Sequence, residues 1–120
     1  MNSLFPATQV PQFILDDPEM GPTCNIIITQ PRRISAMSVA ERVASERCEN
    51  LGQCIGYTVR LDSCCSTRTQ CLFVTPGVLL RKLQSNPTLD GFTHIILDEV
   101  HERDRYIEFL TICLKDIDGF

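Results

Sequence analysis

Asp98 and Glu99 directly follow the apolar run Ile95-Ile96-Leu97, within the string Asp98-Glu99-Val100-His101-Glu102-Arg103. A strand that ends in two carboxylates sets both at a sheet edge with low-dielectric walls, a setting suited to a divalent cation. Magnesium takes oxygen ligands and keeps several waters, so one carboxylate of the pair can hold it while phosphates supply other ligands. The other carboxylate is then free to orient or deprotonate a water for in-line attack on phosphorus. His101, two residues on, is placed to hydrogen-bond a neighbouring element. For the Asp-Glu pair alone the simpler reading is an acidic helix N-terminus, which the macrodipole favours. The full six-residue string shifts the balance.

Two further groups suit phosphate. Arg32-Arg33 lies in the turn between an Ile-rich run and the next helical pattern. Guanidinium groups bind phosphate bidentately, and helix N-terminal amides add to the same anion site. Thr29 and Ser35 are placed to add hydroxyls, although a solvated pair of surface arginines remains an open alternative. Thr75-Pro76-Gly77 combines a hydroxyl with backbone amides at a helix start, and Arg81 follows one turn later. Pro-Gly turns are ordinary, so this group alone is a weak signal. Arg60, at the end of its strand, is another phosphate candidate, with a surface ion pair as the favoured reading. His94 reads as a core or edge histidine, and Asp16-Asp17 with Asp116 and Asp118 read as solvated helix ends. No Ser-His-Asp or Cys-His arrangement is supported.

These residues need elements to position them. The pattern predicts a helix over 8–17, with Val10, Phe13 and Ile14 on one face and Pro11 tolerable only in its first turn. A buried strand follows over 24–29. The clearest helix covers 35–49, where Ala36, Val39, Ala40, Val43 and Ala44 recur at helical spacing behind Ser35 as N-cap. Strands are predicted over 55–61, 71–75 and 94–97, a short helix over 78–84 and a last helix over 106–117. Strands joined by helices imply an α/β parallel sheet covered on both faces, with ligands beyond the carboxyl ends of the strands. All three chemical groups stand at such ends.

Composition agrees with a folded chain. Leu, Ile, Val and Phe account for 36 of 120 residues, too many for intrinsic disorder. The formal charge of −4 divides unevenly, −3 over 1–29, +3 over 30–81 and −4 over 82–120, and the basic middle contains seven Arg and no Lys. Seven Cys, an odd number with Cys64 and Cys65 adjacent and no C-x-x-C, read as small buried residues in a reducing compartment rather than a disulfide or zinc framework. No apolar run approaches the roughly 20 residues of a membrane span, so no membrane partner and an intracellular location, nucleus or cytoplasm, are expected.

Thr29-Gln30-Pro31-Arg32-Arg33-Ile34-Ser35-Ala36, Thr75-Pro76-Gly77-Val78-Leu79-Leu80-Arg81 and Asp98–Arg103, in this order, resemble motifs Ia, Ib and II of the DEAH-box (DExH) RNA helicases. The likeness extends to the RNA helicase A (maleless) branch through 38–44 and through Gly56-Tyr57-x-Val59-Arg60. It covers about residues 8–118. The resemblance implies the first RecA-like domain of an ATP-dependent RNA helicase, which binds ATP and Mg2+ and grips single-stranded RNA by its backbone. It implies Asp98 as the magnesium contact through water, Glu99 as activator of the attacking water and His101 as the coupling residue. Arg32, Arg33, Thr75 and Arg81 would touch RNA phosphates.

The sequence also departs from the family pattern. The Gly-rich phosphate loop should end near Thr8, yet Pro6 stands where its lysine is expected and Ala7 where its magnesium-binding threonine would be. Residues 1–7 are therefore expected as an atypical N-terminus in place of the phosphate loop, ahead of a partial RecA-like domain over 8–120. The preceding strand and the second RecA-like domain, a partner in the parent protein, are expected to be missing, leaving this chain without hydrolysis of its own. The alternative is a non-catalytic isoform that binds RNA or a helicase.

Overall fold

Three consecutive isoleucines followed by threonine form β1 (Ile26–Thr29), and all four residues are buried. Branching at Cβ favours the extended backbone, and burial on both faces explains why the run does not alternate with polar residues. The computed structural model describes residues 4–98, without the side chains of 4–7. Glu99, His101 and the helix predicted over 106–117 lie outside the described residues.

β1 pairs in parallel with β4 (Cys71–Val74) on one side and β5 (His94–Leu97) on the other. β2 (Ile55–Val59) adds in parallel beyond β4, and β3 (Asp62–Cys64) closes that edge antiparallel to β2. The order is β3-β2-β4-β1-β5. The parallel sheet expected from the sequence is thus present with one antiparallel strand added. β3 has no apolar alternation to announce it, and pairing with β2 alone makes it a strand. Gly56 makes the approach possible, since a Cβ there would lie 2.5 Å from the Cys64 carbonyl oxygen.

Among the described residues, three α-helices cover the sheet. α1 (Leu4–Asp16) and α2 (Arg33–Glu46) share one face, where Ile26, Ile28, Ile55, Cys71 and Phe73 meet the alanine-rich side of α2 and, from α1, Ile14 and Leu15. α3 (Pro76–Ser85) covers the other face, packing Val78, Leu79 and Leu83 on Ile27, Leu72 and Val74. Ala36, Ala40 and Ala44 recur every fourth residue, so the α2 backbone lies close to the strands.

The helix boundaries differ from the sequence pattern for identifiable reasons. α1 begins at Leu4 rather than Thr8, which puts Pro11 inside it and leaves one carbonyl without its usual amide partner. Ser35 is the third residue of α2, not its N-cap. Its hydroxyl accepts the Arg32 amide at 3.2 Å and donates to the Arg32 carbonyl at 2.8 Å, so Arg32 is the capping position. α2 stops before Glu49 because Cys48 turns left-handed (φ 57°), and the Glu49 amide then satisfies the Ala44 carbonyl at 2.9 Å. Pro76 opens α3, where its missing N–H costs nothing.

The expected solvated ends at Asp16 and Asp17 have structural work. Asp16 accepts the Arg47 guanidinium at 3.0 Å, tying α1 to the end of α2. Asp17 accepts the amides of Glu19 and Met20 at 2.8 and 3.0 Å, and these backbone bonds, Met20 first, hold its carboxyl below the usual range.

Phe73 is fully buried in β4. Phe73→Ala is expected to lower the unfolding free energy by about 3–5 kcal/mol, read as a fall in the urea midpoint. An unchanged midpoint would contradict this core assignment.

Candidate nucleic-acid interface

β1 leads to α2 on one face of the sheet and β4 leads to α3 on the other, while β1 and β4 lie side by side. Two neighbouring strands whose connections leave in opposite directions open a crevice at their carboxyl ends, where ligands of open α/β sheets bind. Here the crevice is a cleft of about 440 Å³ lined by Pro31 after β1, Arg60 after β2, and Thr75, Pro76, Gly77 and Arg81 after β4. A second cleft of about 540 Å³ lies along Arg32, Arg33, Ile34, Ser35 and Ser38.

Arg32 and Arg33 are the cap and first residue of α2, and no acidic residue occupies its first turn. Both are exposed. Thr75 caps α3, and its hydroxyl makes no capping bond while its carbonyl accepts the amides of Val78 and Leu79 at 3.1 Å each. Arg81 is exposed one turn on. No ion pair among the described residues involves Arg32, Arg33, Arg60 or Arg81. The surface ion pair expected for Arg60 is therefore not found among them. β2 ends at Val59, and Arg60 with Leu61 makes a two-residue turn into β3, bringing the guanidinium to the cleft. Leu61 is 93% exposed with φ 68°, a left-handed conformation that is costly for a leucine.

The hydroxyls expected beside the arginines are otherwise engaged. Thr29 is buried, and its Oγ1 accepts the Asp98 amide at 3.3 Å. Ser35 is committed to Arg32. Burial sets Thr29 apart from the exposed arginines, and the Ser35 proton is spent on the Arg32 carbonyl.

Asp98 leaves β5 at the same edge, half-buried. Its Oδ2 accepts Nε2 of Gln30 at 2.8 Å. Gln30 is fully buried, and the sequence reading assigned its side chain no role. The available signal was positional, a glutamine directly after an apolar strand and before Pro31-Arg32-Arg33. No group of three or more His, Cys, Asp or Glu side chains is gathered to hold a metal among the described residues. A lone oxygen donor fits magnesium, which takes few protein ligands and fills its octahedron with water and phosphate. His94, half-buried on β5, has its Nδ1 2.9 Å from the Thr93 hydroxyl, as a satisfied edge histidine should.

The six described cysteines are free. Cys24 and Cys71 are buried, but Cys48 and Cys65 are exposed, so the expectation of small buried residues holds only in part. Burial pushes the Cys71 thiol far up, and burial also raises Cys24 and Cys54, the latter with help from the Glu49 charge. Raised thiols hold their protons more tightly folded than unfolded, so stability is expected to fall as pH climbs past about 8.5. Iodoacetamide at pH 8 should label Cys48 and Cys65 in the folded chain and spare Cys71 until urea is added. Equal labelling at all three, read by peptide mass spectrometry, would contradict the burial.

No protein-family profile matches the sequence. Curated relatives do. The chain is 58% identical over 113 residues to the putative ATP-dependent RNA helicase DHX57 of Mus musculus, covering 92% of this chain and 8% of that protein. It is 52% identical to the DExH-box ATP-dependent RNA helicase DExH3 of Arabidopsis thaliana (92% and 9%) and to the ATP-dependent RNA helicase DHX30 of Homo sapiens (92% and 10%). The crystal structure of the Escherichia coli DEAH/RHA helicase HrpB superimposes with a TM-score of 0.82 at 37% identity, over 92% of this chain and 14% of that one. The chain thus spans about a tenth of the length of the curated relatives it matches, and its sheet has the RecA-like helicase fold.

Proposed function

We propose that this chain, homologous over most of its length to a stretch of the DExH/DEAH-box RNA helicases, is the RNA-gripping and magnesium-facing part of a first RecA-like domain, in a protein that couples ATP hydrolysis to RNA binding and unwinding. One observation carries the reading. Arg32 and Arg33 sit at the N-terminus of α2, where the helix dipole disfavours cations, with no acid in the first turn. Their positions there make sense if an anion shares the site.

The chemistry follows from the strand ends. Arg32 and Arg33 with the α2 amides form one phosphate site, and Thr75 with the Gly77 amide and Arg81 forms another. Arg60 joins the second through the cleft it lines. Backbone contacts of this kind position RNA without reading its sequence. Asp98 would hold magnesium, which when bound would neutralise charge on the nucleotide phosphates. Glu99 orients the attacking water, and His101 couples that step to the rest of the motor. A second RecA-like domain completes the ATP site, and the protein meets RNA inside the cell, in nucleus or cytoplasm.

Single-stranded oligouridylate should bind the chain with an affinity that falls steeply with salt, followed by fluorescence anisotropy. Removing two phosphate contacts with Arg32→Ala and Arg33→Ala is expected to lower the slope of log K against log salt by about 1.4, at roughly 0.7 per contact. Equal affinity and slope in the double variant would remove these arginines from the RNA site. Because Pro6 and Ala7 occupy the positions of the phosphate-loop lysine and threonine, the isolated chain is expected to show no RNA-stimulated ATPase. Turnover that vanishes in Glu99→Gln would overturn that expectation.

A further inference from the structure

Gln30 is the residue whose burial and bonding the RNA and magnesium reading leaves unexplained. It is fully buried at the carboxyl end of β1, its backbone amide donates to the Val74 carbonyl at 2.8 Å, and its Nε2 donates to Oδ2 of Asp98 at 2.8 Å. Its Oε1 is buried and has no hydrogen-bond partner among the described residues. An unpartnered buried amide oxygen costs roughly 1–3 kcal/mol, so a side chain chosen for stability alone would be apolar here, as at Ile26, Ile27 and Ile28 before it. A glutamine that tolerates this cost in order to donate one bond to a carboxylate is placed for that carboxylate.

We propose that Gln30 is a positioning residue for the metal-facing carboxylate, fixing the direction in which Asp98 presents its oxygens; this rests on the assignment of Asp98 to magnesium. The anchor is rigid. The backbone of Gln30 is locked to β4, and the Asp98 amide is separately held by Thr29 Oγ1 at 3.3 Å. Asp98 is therefore gripped at main chain and side chain by consecutive residues of one strand. Outer partners of this sort orient a ligand and raise its affinity for metal, and their loss typically weakens binding ten- to a hundredfold.

Manganese is a suitable probe, since it shares magnesium's preference for oxygen ligands and its unpaired electrons broaden nearby nuclear resonances. In the 120-residue chain, Mn2+ should broaden the Asp98 backbone amide and the Gln30 side-chain amide first, and not in Asp98→Asn. Gln30→Met keeps the length of the side chain and removes both the donor and the unpartnered oxygen. Its urea midpoint should equal or exceed that of the parent while about tenfold more Mn2+ is needed to broaden Asp98. Gln30→Asn keeps an amide too short to reach Asp98 and should show the same loss of affinity. Unchanged Mn2+ affinity in either folded variant would overturn the positioning role and leave the metal assignment standing. No broadening at Asp98 in the parent chain would overturn the metal assignment and the positioning role together. Failure of both variants to fold would make Gln30 a structural residue and overturn the proposal.

Discussion

β1 is hydrogen-bonded on both sides, and the functional edge hangs from that fact. A strand buried on both faces has no access to water, so every amide and carbonyl must find a partner in a neighbouring strand. β4 and β5 supply them in parallel. The ladder continues one residue past the strand, through the Gln30 amide to Val74, and fixes the direction in which Pro31, Arg32 and Arg33 leave the sheet. The Thr29 hydroxyl does the same for Asp98 across the other neighbour. Both chemical loops are thereby aimed by the last residues of one short strand.

Charge is sorted along α2 in a way that separates structure from function. Near its C-terminus, Arg42 pairs with Glu46 at 3.2 Å, while just past the helix Arg47 pairs with Asp16 and Glu49 at 3.0 and 3.1 Å. Arg47, at the C-cap, lies where the dipole welcomes a cation. At the opposite end Arg32 and Arg33 lie where it does not, exposed beside a partly apolar cleft. The basic middle of the sequence thus divides its work: Arg47 ties α1 to the end of α2, whereas Arg32, Arg33, Arg60 and Arg81 line the clefts at the carboxyl ends of the strands.

Much of this was legible in the sequence because the signals were local. The isoleucine run, the alanine-rich helix and the strand ending at Asp98 are each set by a few adjacent residues, and the placement of Arg32, Arg33, Thr75 and Arg81 followed from them. What stayed hidden depends on residues far apart in the chain. β3 exists only because β2 pairs with it, Thr29 gives up its hydroxyl to an amide 69 positions away, and Gln30 reaches across 68 positions to Asp98. Helix ends were misjudged where a cap works backwards, as at Ser35, or where a left-handed Cys48 stops the helix early. Glu99 and His101, which carry the sharpest chemistry in the sequence, lie outside the described residues.

The alignment of strand ends has a further consequence for how such a sequence can change over time. Thr29 stands level with Val74 and with Leu97, so three loops depart from a single line across the sheet. Adding or deleting one residue within β1 would move its loop by about 3.3 Å and exchange the two faces of the strand beyond that point. Exchanging one branched aliphatic residue for another would disturb neither. Variation in these strands is therefore confined to letter changes at constant length, whereas the Arg60-Leu61 turn, at the far edge of the sheet, can lengthen without shifting the other loops.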